Sequence, residues 1–281
     1  MPITLQEIEL KLSDDKFIHK ISKNTGYDYL KLQRYILISL GEAKHTVELV
    51  NKYPIQDKAI LEFGSGLGLA SIMLYLQGYN ITSFEPGGLG FEENNLVNQY
   101  IKQYFNLEFD LINDIDKIAP NSFYFIFSNN VLEHIDNIEE TILKLDSYLE
   151  PKGIMLHNVP NYIIPYEPHF GIPFFPIFPR KMSFLISKKI TNTSLWKSIN
   201  FINVFDVKIY AKKAHATVKF DKQLIYKTIM RIEEDKKFAQ RHQGISKIIN
   251  IMKSMGILRI LQILPVSLNT PMVFEWRKNI D

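Results

Sequence analysis

The chain has 281 residues, 46% apolar and 22% charged, enough to bury the core of one large α/β domain or of a domain with an appendage. It contains no cysteine, which excludes disulfides, thiolate metal sites and cysteine nucleophiles and points to a reducing compartment. The formal net charge of +3 hides an asymmetry: residues 1–179 carry 13 Lys and Arg against 23 Asp and Glu, and residues 180–260 carry 18 against 5. Residues 1–20 are charged throughout and do not read as a signal peptide. The apolar run 249–266 is interrupted by Lys253 and Arg259, so it reads as a buried or amphipathic helix rather than a span, and the expected location is cytoplasmic.

The first ~50 residues read as helical: Tyr29–Leu40 is one helix, Gly41 a break, and Glu42–Lys52 a second helix stopped by Pro54. A different rhythm follows. Ala59–Phe63 is a short apolar strand, Gly64–Gly68 a turn, Leu69–Gln77 a helix ended by Gly78, and Asn80–Phe84 a strand closed by Glu85-Pro86-Gly87. The pattern continues with helix Phe91–Tyr104, strands Leu107–Leu111 and Phe123–Ser128, helix Ile138–Leu149, turn Pro151-Lys152-Gly153 and strand Ile154–Asn158. Strands alternating with helices of this length imply a parallel sheet covered on both faces, with ligands beyond the carboxyl ends of its strands. After Pro160 the alternation breaks into a proline- and aromatic-rich stretch up to Arg180. Strand character is expected over Val204–Phe220, helices over roughly 222–262, and a last strand at Met272–Arg277 closing the sheet as its edge. The organisation is therefore an N-terminal helical cap (1–54), a ligand-binding core (55–162), and a C-terminal part (163–281) with an acceptor loop, a basic helical insertion and closing strands.

The turn in Ile60–Gly68 (Ile-Leu-Glu-Phe-Gly-Ser-Gly-Leu-Gly) lets backbone approach a ligand and aims helix N–H groups at it. A dinucleotide fingerprint needs glycine at the first, third and sixth positions, and the sixth here is Leu69. Glu62 ends the strand just before the turn, where a carboxylate would repel a pyrophosphate and suits a ligand with a cationic end. Glu85 ends the next strand, where it can accept hydrogen bonds from both hydroxyls of a ribose.

These residues resemble the class I S-adenosylmethionine (SAM) dependent methyltransferases, notably the bacterial group of type-11 and type-23 methyltransferase domains. The resemblance covers about 55–162 and rests on Glu62-Phe-Gly-Ser-Gly-Leu-Gly68, Glu85-Pro86, Asp114-Ile115, the run Phe123–Asp136 with Val131-Leu-Glu-His-Ile135, and Leu149-Glu-Pro-Lys-Gly153. It departs at Tyr124, usually Asp, and at Lys152, usually Gly. It implies a Rossmann-like α/β fold, SAM as cofactor and S-adenosylhomocysteine as product. Gly64, Ser65, Gly66 and Gly68 would form the turn around methionine and ribose with Glu62 nearby, and Glu85, next to Pro86, would hold the ribose hydroxyls. Asp114 would meet the adenine amino group beside the Ile115 backbone, while Ser128 and Asn129 would lie near the methionine ammonium and Glu133 near the cofactor.

Methyl transfer from a sulfonium is a direct displacement needing alignment, exclusion of water and, for a hydroxyl acceptor, a base. His169 lies in Pro165–Pro173, just after the fifth strand, with Glu167 placed to orient it; both are candidate catalytic residues. His134 and His157 read as structural, Tyr29, Arg34 and Tyr35 as residues able to close over the cofactor, and no metal constellation is evident. Phe174, Phe175, Ile177 and Phe178 precede the basic segment and suggest a pocket for an anionic acceptor: a nucleotide sugar, a glycan terminus or a glycolipid. The basic face could instead attach the enzyme to an anionic membrane surface. RNA methylation and a catalytically silent scaffold remain rival readings, the first weakened by the lack of a recognisable RNA-binding module. Oligomeric state is not legible.

Overall fold

The computed structural model describes residues 3–88, 92–175, 179–222, 253–254, 256 and 265–279. Three helices open the chain: α1 (Leu5–Leu12), α2 (Asp15–Thr25) and α3 (Tyr29–Val50). The expected break at Gly41 is absent and α3 runs through it. A helical glycine costs ~1 kcal/mol relative to alanine, far less than the burial of Ile36, Ala43, Val47 and Val50 along the same face contributes.

The core then alternates β1 (Ala59–Phe63), α4 (Leu69–Leu76), β2 (Asn80–Phe84), α5 (Glu92–Tyr104), β3 (Asp110–Ile112), β4 (Phe123–Asn129), α6 (Ile138–Tyr148) and β5 (Leu149–Val159). Strand β3 begins three residues later than expected. Asn106 takes a left-handed φ of 53° and the Leu107 N–H bonds back to Lys102 O, so 107–109 cross from helix to strand with Leu107 and Phe109 filling the core. A two-stranded hairpin follows, β6 (Tyr166–Glu167) and β7 (Ile172–Pro173). The short helices α7 (Lys188–Thr191) and α8 (Ser194–Ser198) lead to α9 (Val204–Lys213), β8 (Thr217–Phe220) and β9 (Met272–Arg277).

Two expectations change here. Residues 204–213 form a helix: Asn203 makes a reciprocal capping box with Asp206, and Val204, Val207 and Ala211 bury one helical face against the sheet despite the β-branched content. Strand β9 is not an edge, because β8 pairs outside it. The basic insertion expected over 222–262 lies almost wholly outside the described residues.

The seven-stranded sheet has the order β3-β2-β1-β4-β5-β9-β8, with β1 to β5 parallel and β9 antiparallel to both neighbours. Side chains alternate between two cores. Ile60, Phe125, Phe127, Ile154 and Leu156 face α1 to α5, whereas Leu61, Ile126, Met155 and Trp276 face α6 and α9. The chain winds outward from β1 through β2 to β3 and then returns to place β4 on the other side of β1. That reversal opens a crevice at the carboxyl ends of β1 and β4.

Candidate active site

The crevice contains a cavity of about 500 Å³. It extends from the turn after β1 to His169 on the β6–β7 hairpin and is roofed by Tyr35, Ile38, Glu42 and Thr46 of α3.

The turn is held from both sides. The N–H groups of Gly64 and Ser65 donate to Phe84 O at 2.9 Å, tying the turn to the end of β2. A Cβ at Gly64, whose φ is +76°, would stand 2.5 Å from a Val131 methyl. One at Gly68, with φ +74°, would stand 2.4 Å from Asn98 Oδ1. Both positions therefore require glycine on two counts. The Glu85 carboxylate accepts from Gly66 N at 2.6 Å and Gly87 N at 3.0 Å, and burial raises its pKa against those bonds. Glu62 accepts from Ser71 N at 2.9 Å and Ser71 Oγ at 2.5 Å. Burial pushes its pKa up to about 7, with Glu85 adding to the rise and the Ser71 bonds opposing it.

On the opposite wall, β4 ends in Asn129, followed by Asn130, Val131 and the 3-10 turn Leu132–His134. That turn is clamped from far along the chain. Asn200 Nδ2 donates to Leu132 O at 2.6 Å and Ile135 O at 2.8 Å, and Asn200 N to Glu133 O at 2.8 Å. His134 Nδ1 meets Ser198 Oγ at 2.9 Å, and burial lowers its pKa to about 4, leaving the ring neutral.

The β6–β7 hairpin rests on a small aromatic core of Tyr162, Phe174, Trp196 and Phe201. Glu167, fully buried, accepts from Tyr162 OH at 3.2 Å and Phe170 N at 2.8 Å, and lies 2.6 Å from His169 Nδ1. Burial alone would raise Glu167, but the His169 bond and charge outweigh it and hold the carboxyl below its usual range. Burial likewise opposes the charged form of His169, yet Glu167 prevails and raises its pKa. Nδ1 is committed to Glu167, and Nε2 lies 3.9 Å from Glu133 Oε1.

Of the residues singled out from the sequence, Glu62, Gly64, Ser65, Gly66, Glu85, Pro86, Asn129 and His169 share this one wall. Gly68, Asp114, Ile115, Ser128, Glu133 and Glu167 do not line it. Gly68 starts α4; Asp114 is exposed and caps the 3-10 turn Ile115–Lys117 through Asp116 N. Ser128 turns into the core toward His157, whose pKa burial depresses to about 3. Glu133 is buried behind the two histidines. Tyr35 lines the cavity, whereas Tyr29 stacks on His19 and Arg34 is exposed. Phe174 packs into the aromatic core rather than lining an acceptor pocket, Phe175 is exposed, and Ile177 and Phe178 lie outside the described residues. His134, read as structural, stands in the cavity wall, and the local Leu-Glu-His sequence was its signal. Glu42, Asn94 and Leu195 come from remote elements and carried no such signal.

Among the described residues the wall includes three glutamates (Glu42, Glu62, Glu85) and no lysine or arginine. It would repel a pyrophosphate and suits a ligand bearing an ammonium, a sulfonium and ribose hydroxyls. Asn94 Oδ1, buried on this wall with no hydrogen-bond partner among the described residues, is an acceptor suited to a ligand donor. The residues fit SAM.

A sheet of this order with one antiparallel strand, and an acidic glycine turn at its point of reversal, define the class I SAM-dependent methyltransferases. The chain belongs to that family: a methyltransferase domain model matches residues 34–185, and its methyl donor is SAM. It is similar to an uncharacterized protein of Mycobacterium tuberculosis, 33% identical over 201 residues, 65% of this chain and 66% of that protein. A ubiquinone biosynthesis O-methyltransferase of Rickettsia bellii is 29% identical over 114 residues, 38% of this chain and 44% of that one. The chain thus spans just under two thirds of the first relative and less than half of the second. Among solved structures, phosphoethanolamine N-methyltransferase 2 of Haemonchus contortus, with phosphomonomethylethanolamine and S-adenosylhomocysteine, superposes with a TM-score of 0.54 at 13% identity. That match covers 100% of this chain and 61% of that one. A SAM-dependent methyltransferase of Mesorhizobium loti gives 0.52 at 12% identity, covering 82% and 95%. At those identities the likeness is one of fold. Among the described residues no helix is long and apolar enough to cross a membrane.

Proposed function

We propose that the chain methylates a hydroxyl of a small molecule, glycan or glycolipid, with His169 receiving the hydroxyl proton. The observation that carries this reading is the single cavity joining the SAM turn at Gly64–Gly66 to His169, whose Nδ1 is held 2.6 Å from a buried carboxylate. SAM, when bound, supplies an electrophilic methyl carbon on a cationic sulfur. Glu62 and the turn receive its methionine end, Glu85 exchanges its bonds to Gly66 and Gly87 for ribose hydroxyls, and Asn94 and Asn129 supply further polar contacts. Adenine then lies toward Asp114 and Ile115, beyond the cavity wall. Glu167 fixes the ring of His169 so that Nε2 meets the acceptor. The Rickettsia bellii relative, itself named an O-methyltransferase, agrees with oxygen as the acceptor atom.

In this reading the acceptor presents only its hydroxyl to the acidic cavity, and any anionic or lipid part stays outside it at the surface. Phe184 and Leu185 are 74% and 65% exposed, and Lys181, Lys188 and Lys189 flank them, a surface suited to an anionic bilayer or headgroup. The test is labelled SAM offered with nucleotide sugars, glycan termini and prenyl-pyrophosphate glycolipids, the product bond then being identified by mass spectrometry. A methyl ether is expected; label found only on nitrogen would overturn the assignment.

A further inference from the structure

We propose that Glu133, His134 and His169 form a binding site for one divalent first-row metal ion, such as Mn²⁺ or Zn²⁺, at the acceptor end of the cavity. Three observations converge on it. Glu133 Oε1 lies 3.9 Å from His134 Nε2 and 3.9 Å from His169 Nε2, and one ligand atom from each residue falls within 4.8 Å of the others. Ligands at ~2.1 Å from a tetrahedral ion stand ~3.4 Å apart, so the two Glu133–histidine separations must close by about half an ångström and no pair by more than about 1.4 Å, within reach of side-chain rotation. Glu133 is fully buried, and among the described residues neither carboxylate oxygen has a hydrogen-bond partner beyond its own backbone. A carboxylate so placed needs a cation or a donor.

Both histidines are also oriented as ligands are. Each engages Nδ1 with a second residue, Ser198 Oγ for His134 at 2.9 Å and the buried Glu167 for His169 at 2.6 Å, and turns Nε2 toward Glu133. Such outer partners fix ring orientation and tautomer at metal centres. The Asn200 clamp on Leu132, Glu133 and Ile135 holds the turn that carries two of the three ligands. Two imidazoles and one carboxylate leave coordination positions open on a first-row ion.

The chemistry assigned to the ion rests on the O-methylation reading above. An open position takes the acceptor oxygen; its O–H bond breaks, the oxygen keeps the electron pair and the proton leaves to water. That oxygen then bonds to the methyl carbon while the C–S bond breaks, and sulfur keeps that pair as a neutral thioether. With the ion in place His169 serves as ligand, and the ion replaces it in ionising the hydroxyl.

The experiment is Mn²⁺ titration of the EDTA-treated full chain followed by electron paramagnetic resonance, with Zn²⁺ as competitor. One saturable Mn²⁺ per chain is expected, displaced by Zn²⁺ and weakened at least ten-fold in Glu133→Gln and His169→Gln, both still binding SAM. Ser198→Ala, which leaves all three ligands in place, is expected to weaken it less. Absence of a saturable site, or affinity unchanged in both ligand variants, overturns the proposal. Hydroxyl methylation by a chain that binds no cation would remove the metal site and leave the proposed function. Cation binding with label found only on nitrogen would do the reverse.

Discussion

Glu167 and His169 are two residues apart on one hairpin, and the buried carboxylate holds the ring by Nδ1 at 2.6 Å. His169 faces the cofactor turn across a shared cavity although some hundred residues separate the two in sequence. Replacing His169 with Ala should lower turnover by roughly 10²–10⁴ fold while the SAM dissociation constant stays within about two-fold. Steady-state kinetics beside calorimetric titration of SAM checks this, and near-normal turnover would remove His169 from the chemistry.

Glu62 predicts a pH effect on cofactor binding. Its pKa stands near 7 in the free protein, raised from 4.5 chiefly by burial, and a cationic ligand prefers the ionised form. Between pH 6 and pH 8 SAM should therefore bind roughly ten-fold more tightly, and Glu62→Gln should flatten that dependence. Glu85, also raised by burial, acts in the same direction. The effect on stability has the opposite direction. A carboxyl raised in the folded state stabilises fully below about pH 4.5 and loses that contribution as pH climbs through about 7, so between pH 6 and pH 8 the cofactor-free wild type should lose more stability, or gain less, than Glu62→Gln.

Gly64→Ala should destabilise the fold by about 2 kcal/mol or more, since a left-handed backbone position and a 2.5 Å approach to Val131 both oppose a Cβ. Urea denaturation reads the loss. SAM affinity should fall at least ten-fold because Gly64 itself stands in the glycine turn that lines the cavity.

Asn200→Ala should cost about 1–3 kcal/mol by leaving Leu132 O and Ile135 O without their donor. It should lower turnover more than it weakens SAM binding, because the turn it releases lies at the acceptor end. Equal loss in both would place Asn200 in cofactor binding instead.

Replacing Phe184 and Leu185 with Ser should reduce co-sedimentation with phosphatidylserine-containing vesicles and leave SAM affinity unchanged. Wild-type protein that does not sediment with such vesicles even at low salt would remove the membrane contact.

The alternation of strands and helices, the turn at Gly64–Gly68 and the acidic strand ends at Glu62 and Glu85 were legible in the sequence because each is local. Period-two burial, left-handed glycines and a strand-end carboxylate depend on neighbours a few residues away. They determined the fold class and the methyl donor. Where the reading failed, longer-range contacts decided. Burial along α3 carried the helix through Gly41, a capping box and a buried face made 204–213 helical, and pairing with β8 moved β9 inside the sheet. The acceptor end belongs largely to this second kind, the neighbouring pair Glu167 and His169 apart. Glu133 and His134 are adjacent in sequence, but His169 reaches them from the hairpin, Ser198 and Asn200 from beyond α7, and Glu42 from the first fifty residues. No periodicity encodes that meeting. It follows from the sheet's reversal between β1 and β4, which brings loops distant in the chain to one rim.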